Sequence, residues 1–250
     1  MAVLFHHCVD DTVYEVRSAG NSRRLYTNGV LHSQFNSRQC VTGSVWDLLW
    51  LPLFFNPSPR PERVLLLGVG AGAVVRQLAS LVRPQHVIGI EIDPLHLTIA
   101  REFFGVTKDM ATLVCTDARE YVQRYRGPSF DLVVDDLFTG TDGCPRRALA
   151  FDEAWLRSLR RVLKPTGTLT VNFADRAELK ASSLPLALSS DKVFAAGFEL
   201  HTPVTENIVA AMLGQRYDSA ALRAHLQATP CLSRHLRSKR LRYGIRPMTA

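Results

Sequence analysis

Five short apolar runs, each followed by a helix-like stretch, constrain this chain more than any other feature. They are RVLLLGVG (63–70), HVIGIEID (86–93), ATLVCTDA (111–118), FDLVVDDLF (130–138) and GTLTVNF (167–173). Each is rich in branched apolar residues, the pattern of a strand buried on both faces of a parallel sheet. Helix-like stretches at 74–82, 94–104, 119–125 and 152–163 separate them. Strand and helix in alternation demand right-handed crossovers, so the expected fold is α/β, a doubly wound, mostly parallel seven-stranded sheet. The segment KVFAAGFELHTPVTENIVAAML (192–213) supplies an antiparallel hairpin at one edge. Ahead of the sheet, Asn28-Gly29 sits between two strand-like runs in TVYEVRSAGNSRRLYTNGVLHSQFN (12–36), a hairpin signal that places a small N-terminal β module there. The expected divisions are 1–56 for the β module and a linking helix, 57–215 for the α/β domain, and 216–250 for a helical, basic extension.

In a sheet of this kind a ligand binds outside the carboxyl ends of the strands, where their order reverses. The first strand ends in Gly68-Val69-Gly70-Ala71-Gly72, the second in Glu91-Ile92-Asp93, the third in Thr116-Asp117-Ala118 and the fourth in Asp135-Asp136. Glycines at such a turn let bare backbone approach a nucleotide-like ligand. Gly68, Gly70 and Ala73 satisfy G-x-G-x-x-[GA], and Glu91 falls where a dinucleotide fold carries its ribose-binding acid, so a nicotinamide-dependent oxidoreductase is one rival reading. Asp117, followed by a small residue and a helix, puts an acceptor where an adenine amino group donates, which favours a nucleoside-transferase variant. Asp93 before Pro94 is placed to cap a helix. Asp117 is placed to cap AREYV as well as to touch a ligand.

The ordered set VLLLGVGAGA, GIEIDP, VCTDAREYV, FDLVVDDLF and LKPTGTLTVNF resembles the class I S-adenosylmethionine-binding transferases, and most specifically the spermidine synthase family and its relatives. The leading LYTNGVLHSQF and the linking LPLFFNPSPRPERVLLLG extend the resemblance over 13–213. It implies a class I methyltransferase-like Rossmann domain and a nucleoside site built from Gly68, Gly70, Ala71, Gly72, Glu91, Ile92, Asp117, Ala118 and Asp135. Glu91 is implied to bind the ribose hydroxyls, Asp117 with Ala118 to read adenine, and Asp135 to be the catalytic acid that takes a proton from an attacking amine. His32, Asp136 and Phe138 are candidate acceptor-substrate contacts, and Tyr14, Tyr26 and Trp46 either line that pocket or belong to the core.

Departures from the family pattern shape the expected activity. Spermidine synthases usually carry an acid where this chain has Ala71 and a second acid three positions beyond the catalytic one, where Asp135 leads to Phe138. An acid in the glycine turn would repel the carboxylate of intact S-adenosylmethionine, and Ala71 lifts that repulsion. Methyl transfer from S-adenosylmethionine to a small-molecule acceptor is therefore the expected reaction. Aminopropyl transfer from decarboxylated S-adenosylmethionine to a polyamine is the alternative, and a non-catalytic nucleoside-binding scaffold is a further one. The acceptor is expected against DDLFTGTDGCPRR (135–147), read as a glycine-rich active-site loop; if its arginines face the pocket the acceptor is anionic, and if Asp136 and Asp142 do it is an amine.

The net charge of +7 is concentrated near the end, where Arg234, Arg237, Lys239, Arg240, Arg242 and Arg246 occur with no acid between them. That segment reads as a solvated extension, with an acidic partner as the alternative. Five cysteines without a C-x-x-C pair, and histidines without ligand spacing, give no disulfide framework and no metal site. Neither a secretory leader nor a membrane span is read, so a cytoplasmic location is expected. The resemblance is compatible with a homodimer built through the β module.

Overall fold

The structure, a computed structural model, describes residues 2–141, 144–189 and 194–248. The chain opens with four antiparallel strands in sequential order, β1 (Ala2–Val9), β2 (Thr12–Ala19), β3 (Ser22–Thr27) and β4 (Val30–Asn36). Asn28 and Gly29 both adopt positive φ, 48° and 77°, and Thr27 pairs with Val30, so the expected two-residue turn is present. The module is larger than one hairpin because AVLFHHCV pairs along β2, although most of its side chains are exposed. A one-turn connection then leads to α1 (Val45–Trp50), whose residues and the following turn Leu51–Phe55 are all buried.

The main domain alternates as expected: β5 (Arg63–Leu67), α2 (Ala73–Leu81), β6 (His86–Glu91), α3 (Pro94–Glu102), β7 (Thr112–Cys115), α4 (Ala118–Arg124) and β8 (Phe130–Asp135). After β8 come β9 (Phe138–Thr141) and β10 (Cys144–Arg147), then α5 (Glu153–Val162) and β11 (Leu163–Phe173). The chain continues through α6 (Arg176–Ala181), α7 (Leu184–Ser189), β12 (Ala196–His201), β13 (Ile208–Leu213), α8 (Ser219–Ala228), α9 (Pro230–Arg237) and β14 (Gly244–Pro247). The sheet order is β14-β12-β13-β11-β8-β5-β6-β7, with β11 to β7 parallel and the last three strands antiparallel. Chain order reverses between β5 and β8, which is where a ligand site is expected.

Period-two alternation distributes the apolar runs between two cores. Val64, Leu66, Leu132 and Val134 pack on the face covered by α1 and α2, with Leu48 and Phe54. Leu65, Leu67 and Val133 pack on the other face with Trp155 and Leu159 of α5. A strand buried on both faces needs this continuous apolar composition.

Two expectations are corrected. The sheet has eight strands, not seven, because the basic segment is anchored: Leu232 and Leu241 are buried and β14 pairs antiparallel with β12, while Arg234, Arg237, Lys239, Arg240, Arg242 and Arg246 stay exposed. Pro247 is tolerated there because β14 is an edge strand. The glycine-rich loop is also a hairpin, with β9 pairing β10 from Phe138–Arg147 to Thr141–Cys144. Asp142 lies outside the described residues.

Gly68 shows how tightly the switch point is closed. Its φ is +85°, and a Cβ added there would stand 2.2 Å from the carbonyl oxygen of Asp136. Neither backbone can give way without moving a strand end. Gly68→Ala is expected to cost more than about 2 kcal/mol in urea unfolding, since strain at a left-handed position and a backbone clash act together.

Candidate active site

A cavity of about 440 Å³ opens over the carboxyl ends of the parallel strands. Its floor is the glycine turn after β5. There the amides of Val69 and Gly70 donate to Glu91 Oε2 at 3.1 and 2.8 Å, and the amide of Asp93 donates to Glu91 Oε1 at 3.1 Å. Burial pushes the Glu91 carboxyl up, but His96 and these amides outweigh it and hold the group below its ordinary value. Three amides and the neighbouring His96 therefore engage the Glu91 carboxylate, which stays on the cavity wall.

Gly68, Gly70, Glu91, Ile92, Asp117 and Ala118 all border this half of the cavity. Asp117 does two things at once: it caps α4 by accepting from the amides of Arg119 and Glu120 at 2.7 and 3.1 Å, and it remains on the cavity wall. Asp93 caps α3 through the amides of Leu95 and His96 and accepts from the Tyr14 hydroxyl at 2.7 Å.

Ala71 and Gly72 do not reach the cavity. Ala71 is fully buried among Tyr14, Val16, Leu25, Ile99 and Phe104, and its amide donates to Ser33 Oγ at 2.9 Å. Gly72 starts α2 with φ +86°, where a Cβ would meet Val106 at 2.5 Å. Both positions serve packing, so a side chain at 71 faces the β module rather than a ligand. The electrostatic case for intact S-adenosylmethionine loses its geometric basis.

The β module roofs the cavity. His32 is on its wall, and its ring lies 5.2 Å from that of His96. His96 Nε2 is 2.8 Å from Thr27 Oγ1. Burial, then the neighbouring His96, lowers the His32 pKa to about 4, against opposing pulls from Glu91 and Asp93. The unfolded imidazole protonates near 6.5 and the folded one only near 4, so this group removes stability as pH falls through that interval. His32→Gln should lessen acid destabilisation between pH 6.5 and 4 by up to about 3 kcal/mol, measured as the difference in unfolding free energy across that range. Of the aromatic candidates, Trp46 lines the cavity; Tyr14 packs in the core and Tyr26 lies beneath the Arg17 guanidinium.

Asp135, expected to be the catalytic acid, points away from the cavity. It is 0% exposed, with Oδ1 2.9 Å from Arg147 Nη2 and Oδ2 accepting from Trp155 Nε1 at 2.7 Å. Arg147 also donates to the carbonyls of Asn172 and Leu149, and its guanidinium lies over the rings of Phe151 and Phe173. Asp135 shares the parity of Val133, which faces α5, so its side chain must fall on that side. The next residue turns the other way.

Asp136 is the acid on the cavity wall. Its Oδ1 accepts from Asn172 Nδ2 at 2.8 Å, and Asn172 Oδ1 accepts from Asn207 Nδ2 at 3.1 Å. Burial raises its pKa to about 6, with Asp135 adding to the rise and Asn172 and Arg147 opposing it. A carboxylate of this kind is ionised at neutral pH yet more basic than an ordinary aspartate. Phe138 also borders the cavity, whereas among the described residues Arg146 and Arg147 are not on its wall; the arginine that is, Arg119, stands beside Asp117. His96, Asn172 and Asn207 also line the cavity, beyond the residues expected from the sequence. Asn172, a polar residue closing an apolar strand run, carries the same strand-end signal as Glu91; Asn207 carries none.

A sequence model for the spermine/spermidine synthase domain matches residues 47–202. The polyamine aminopropyltransferase of Vibrio vulnificus is 33% identical over 130 residues, 51% of this chain and 42% of that protein. The eEF1A lysine and N-terminal methyltransferase homolog of Drosophila pseudoobscura is 27% identical over 168 residues, 62% of this chain and 24% of that protein. The matched stretch thus spans less than half the length of either relative. In three dimensions, a probable spermidine synthase from Corynebacterium glutamicum superposes with TM-score 0.75 at 17% identity, covering 99% of this chain and 92% of the other. At that identity the likeness is one of fold.

Proposed function

Because the chain belongs to the spermine/spermidine synthase family, we propose that it transfers the aminopropyl group of decarboxylated S-adenosylmethionine to an amine, with Asp136 as the base. The observation that carries this reading is a half-buried carboxylate of raised pKa on the cavity wall at the switch point, its Oδ1 held by Asn172. A sulfonium donor supplies an alkyl carbon whose leaving group is a neutral thioether, so the protein's tasks are alignment and removal of one proton. Glu91 on the cavity wall would accept from a ribose hydroxyl and Asp117 from an adenine amino group, with the sulfonium side beside the glycine turn between Glu91 and Asp136. As the carbon–nitrogen bond forms and the carbon–sulfur bond breaks, Asp136 takes the amine's proton.

Methyl transfer from S-adenosylmethionine is the second reading, favoured by the similarity to the Drosophila pseudoobscura protein over 62% of this chain. The two readings differ in product. Incubation with each donor and a mixture of amines should release methylthioadenosine from the decarboxylated donor. Release of S-adenosylhomocysteine from the intact donor, with no methylthioadenosine, overturns the first reading in favour of the second.

A further inference from the structure

The sheet order divides the cavity into two halves of different chemistry. Its wall touches the ends of β7, β6, β5, β8, β11 and β13, a span of five interstrand steps or about 24 Å. Glu91 and Asp117 stand after β6 and β7, on the far side of the glycine turn from Asp136 and Asn172, which stand after β8 and within β11. With the nucleoside over β6 and β7, the acceptor must lie over β8, β11 and β13.

In that half Asp136 is the one carboxylate among the described lining residues. Around it the wall is apolar: Val45 and Trp46 from α1, Phe138 and Pro145 from the β9–β10 hairpin, and Leu149 beyond it. The remaining polar groups, Asn172, Asn207, Thr205 and Ser44, are neutral. Arg147 is committed to Asp135 and lies off the wall, and the arginine that lines the cavity, Arg119, stands beside Asp117 at the start of α4, in the nucleoside half.

We propose that the acceptor is a primary amine with a single charge on an apolar alkyl or aryl body, rather than a diamine or polyamine. The inference rests on Asp136-assisted alkyl transfer to an amine as proposed above. The reacting nitrogen gives its proton to Asp136. A second ammonium group farther along would exchange water for Trp46, Phe138 and Leu149 with no counter-charge among the described lining residues, and burying an unpaired charge is costly. A methyl group at the same place loses nothing and gains contact. Each added methylene along this wall should improve affinity about fourfold.

Putrescine and n-pentylamine make the test, because they have equal numbers of heavy atoms and differ only in whether the far end is an ammonium or a methyl group. With saturating decarboxylated S-adenosylmethionine and methylthioadenosine release as the readout, kcat/KM for pentylamine should exceed that for putrescine at least tenfold, and hexylamine should exceed pentylamine. Equal or faster turnover of putrescine overturns the inference while leaving the aminopropyl reading intact. No product from any amine overturns the aminopropyl reading itself. As a second measurement, Phe138→Asp should shift the putrescine-to-pentylamine ratio toward putrescine at least tenfold. An unchanged ratio in that folded variant also overturns the inference.

Discussion

Asp136→Asn is expected to lower kcat by about 10²- to 10⁴-fold, the usual contribution of a positioned base, while donor nucleoside binding stays close to that of the wild type. Asparagine keeps an acceptor for Asn172 Nδ2 but cannot take a proton. The wild-type rate should rise with pH through an apparent pKa near 6, where burial places this carboxyl, and the variant's residual rate should lack that limb. The same substitution should stabilise the fold. Asp136 titrates at 3.8 when unfolded and at about 6 when folded, so the folded state binds more protons between those values. Its contribution to stability therefore declines as pH rises from about 4 to 6. Above pH 6 the variant should be more stable by up to about 3 kcal/mol, and near pH 3 the difference should vanish. Loss of activity combined with a raised Tm at pH 7.5 would be the mark of a charge kept partly desolvated for chemistry. A lowered Tm would instead make Asp136 structural.

Asp135→Ala is expected to do the reverse, destabilising the protein by about 3–5 kcal/mol by leaving the Arg147 guanidinium buried and unpaired. Arg147 and Asp135 side chains are 2% and 0% exposed, so water cannot take the missing partner's place. Trp155 Nε1 would lose its acceptor as well. Urea unfolding measures the loss, and kcat per folded molecule should fall far less than in Asp136→Asn. The double variant Asp135→Leu, Arg147→Met should recover most of the stability, because replacing both partners of a buried pair with apolar groups of similar volume removes the desolvation cost together with the attraction. If Asp135→Ala proved stable but inactive, the assignments of the two adjacent acids would have to be exchanged.

These adjacent acids show where legibility ended. A run such as FDLVVDDLF identifies a buried parallel strand by its composition, and its end identifies the ligand edge, but composition is the same whichever acid is assigned to the cavity. Parity relative to Val133 and Trp155 decides, and that needs the packed sheet. Ala71 is a similar case. The glycine pattern around it reads as a cradle, yet the β module descends on the turn from above, so that a Cβ added at Gly70 would stand 2.8 Å from the His32 carbonyl oxygen, and Ala71 is covered by Tyr14 and Leu25. Contacts between residues far apart in the chain carry no local signal. Asn207 enters the site in this way, through Asn172.

What the sequence by itself determined is the part governed by local periodicity: the alternation of strand and helix, the hairpin at Asn28-Gly29, the capping roles of Asp93 and Asp117, and the row of strand ends that carries Gly68, Glu91, Asp117 and the Asp135-Asp136 pair. Each follows from residue spacing of two or 3.6, or from a side chain that bonds its own neighbours, and such forces act within a few residues. What only the tertiary structure decided is which of those strand-end groups face the cavity, the apolar character of its acceptor half, and the recruitment of the basic C-terminal segment as an eighth strand. These depend on which surfaces meet. A short stretch such as GIRP has no reason to be extended until the open edge of β12 offers it hydrogen bonds, and a carboxylate's pKa has no reason to leave its ordinary range until the rest of the chain has excluded water around it.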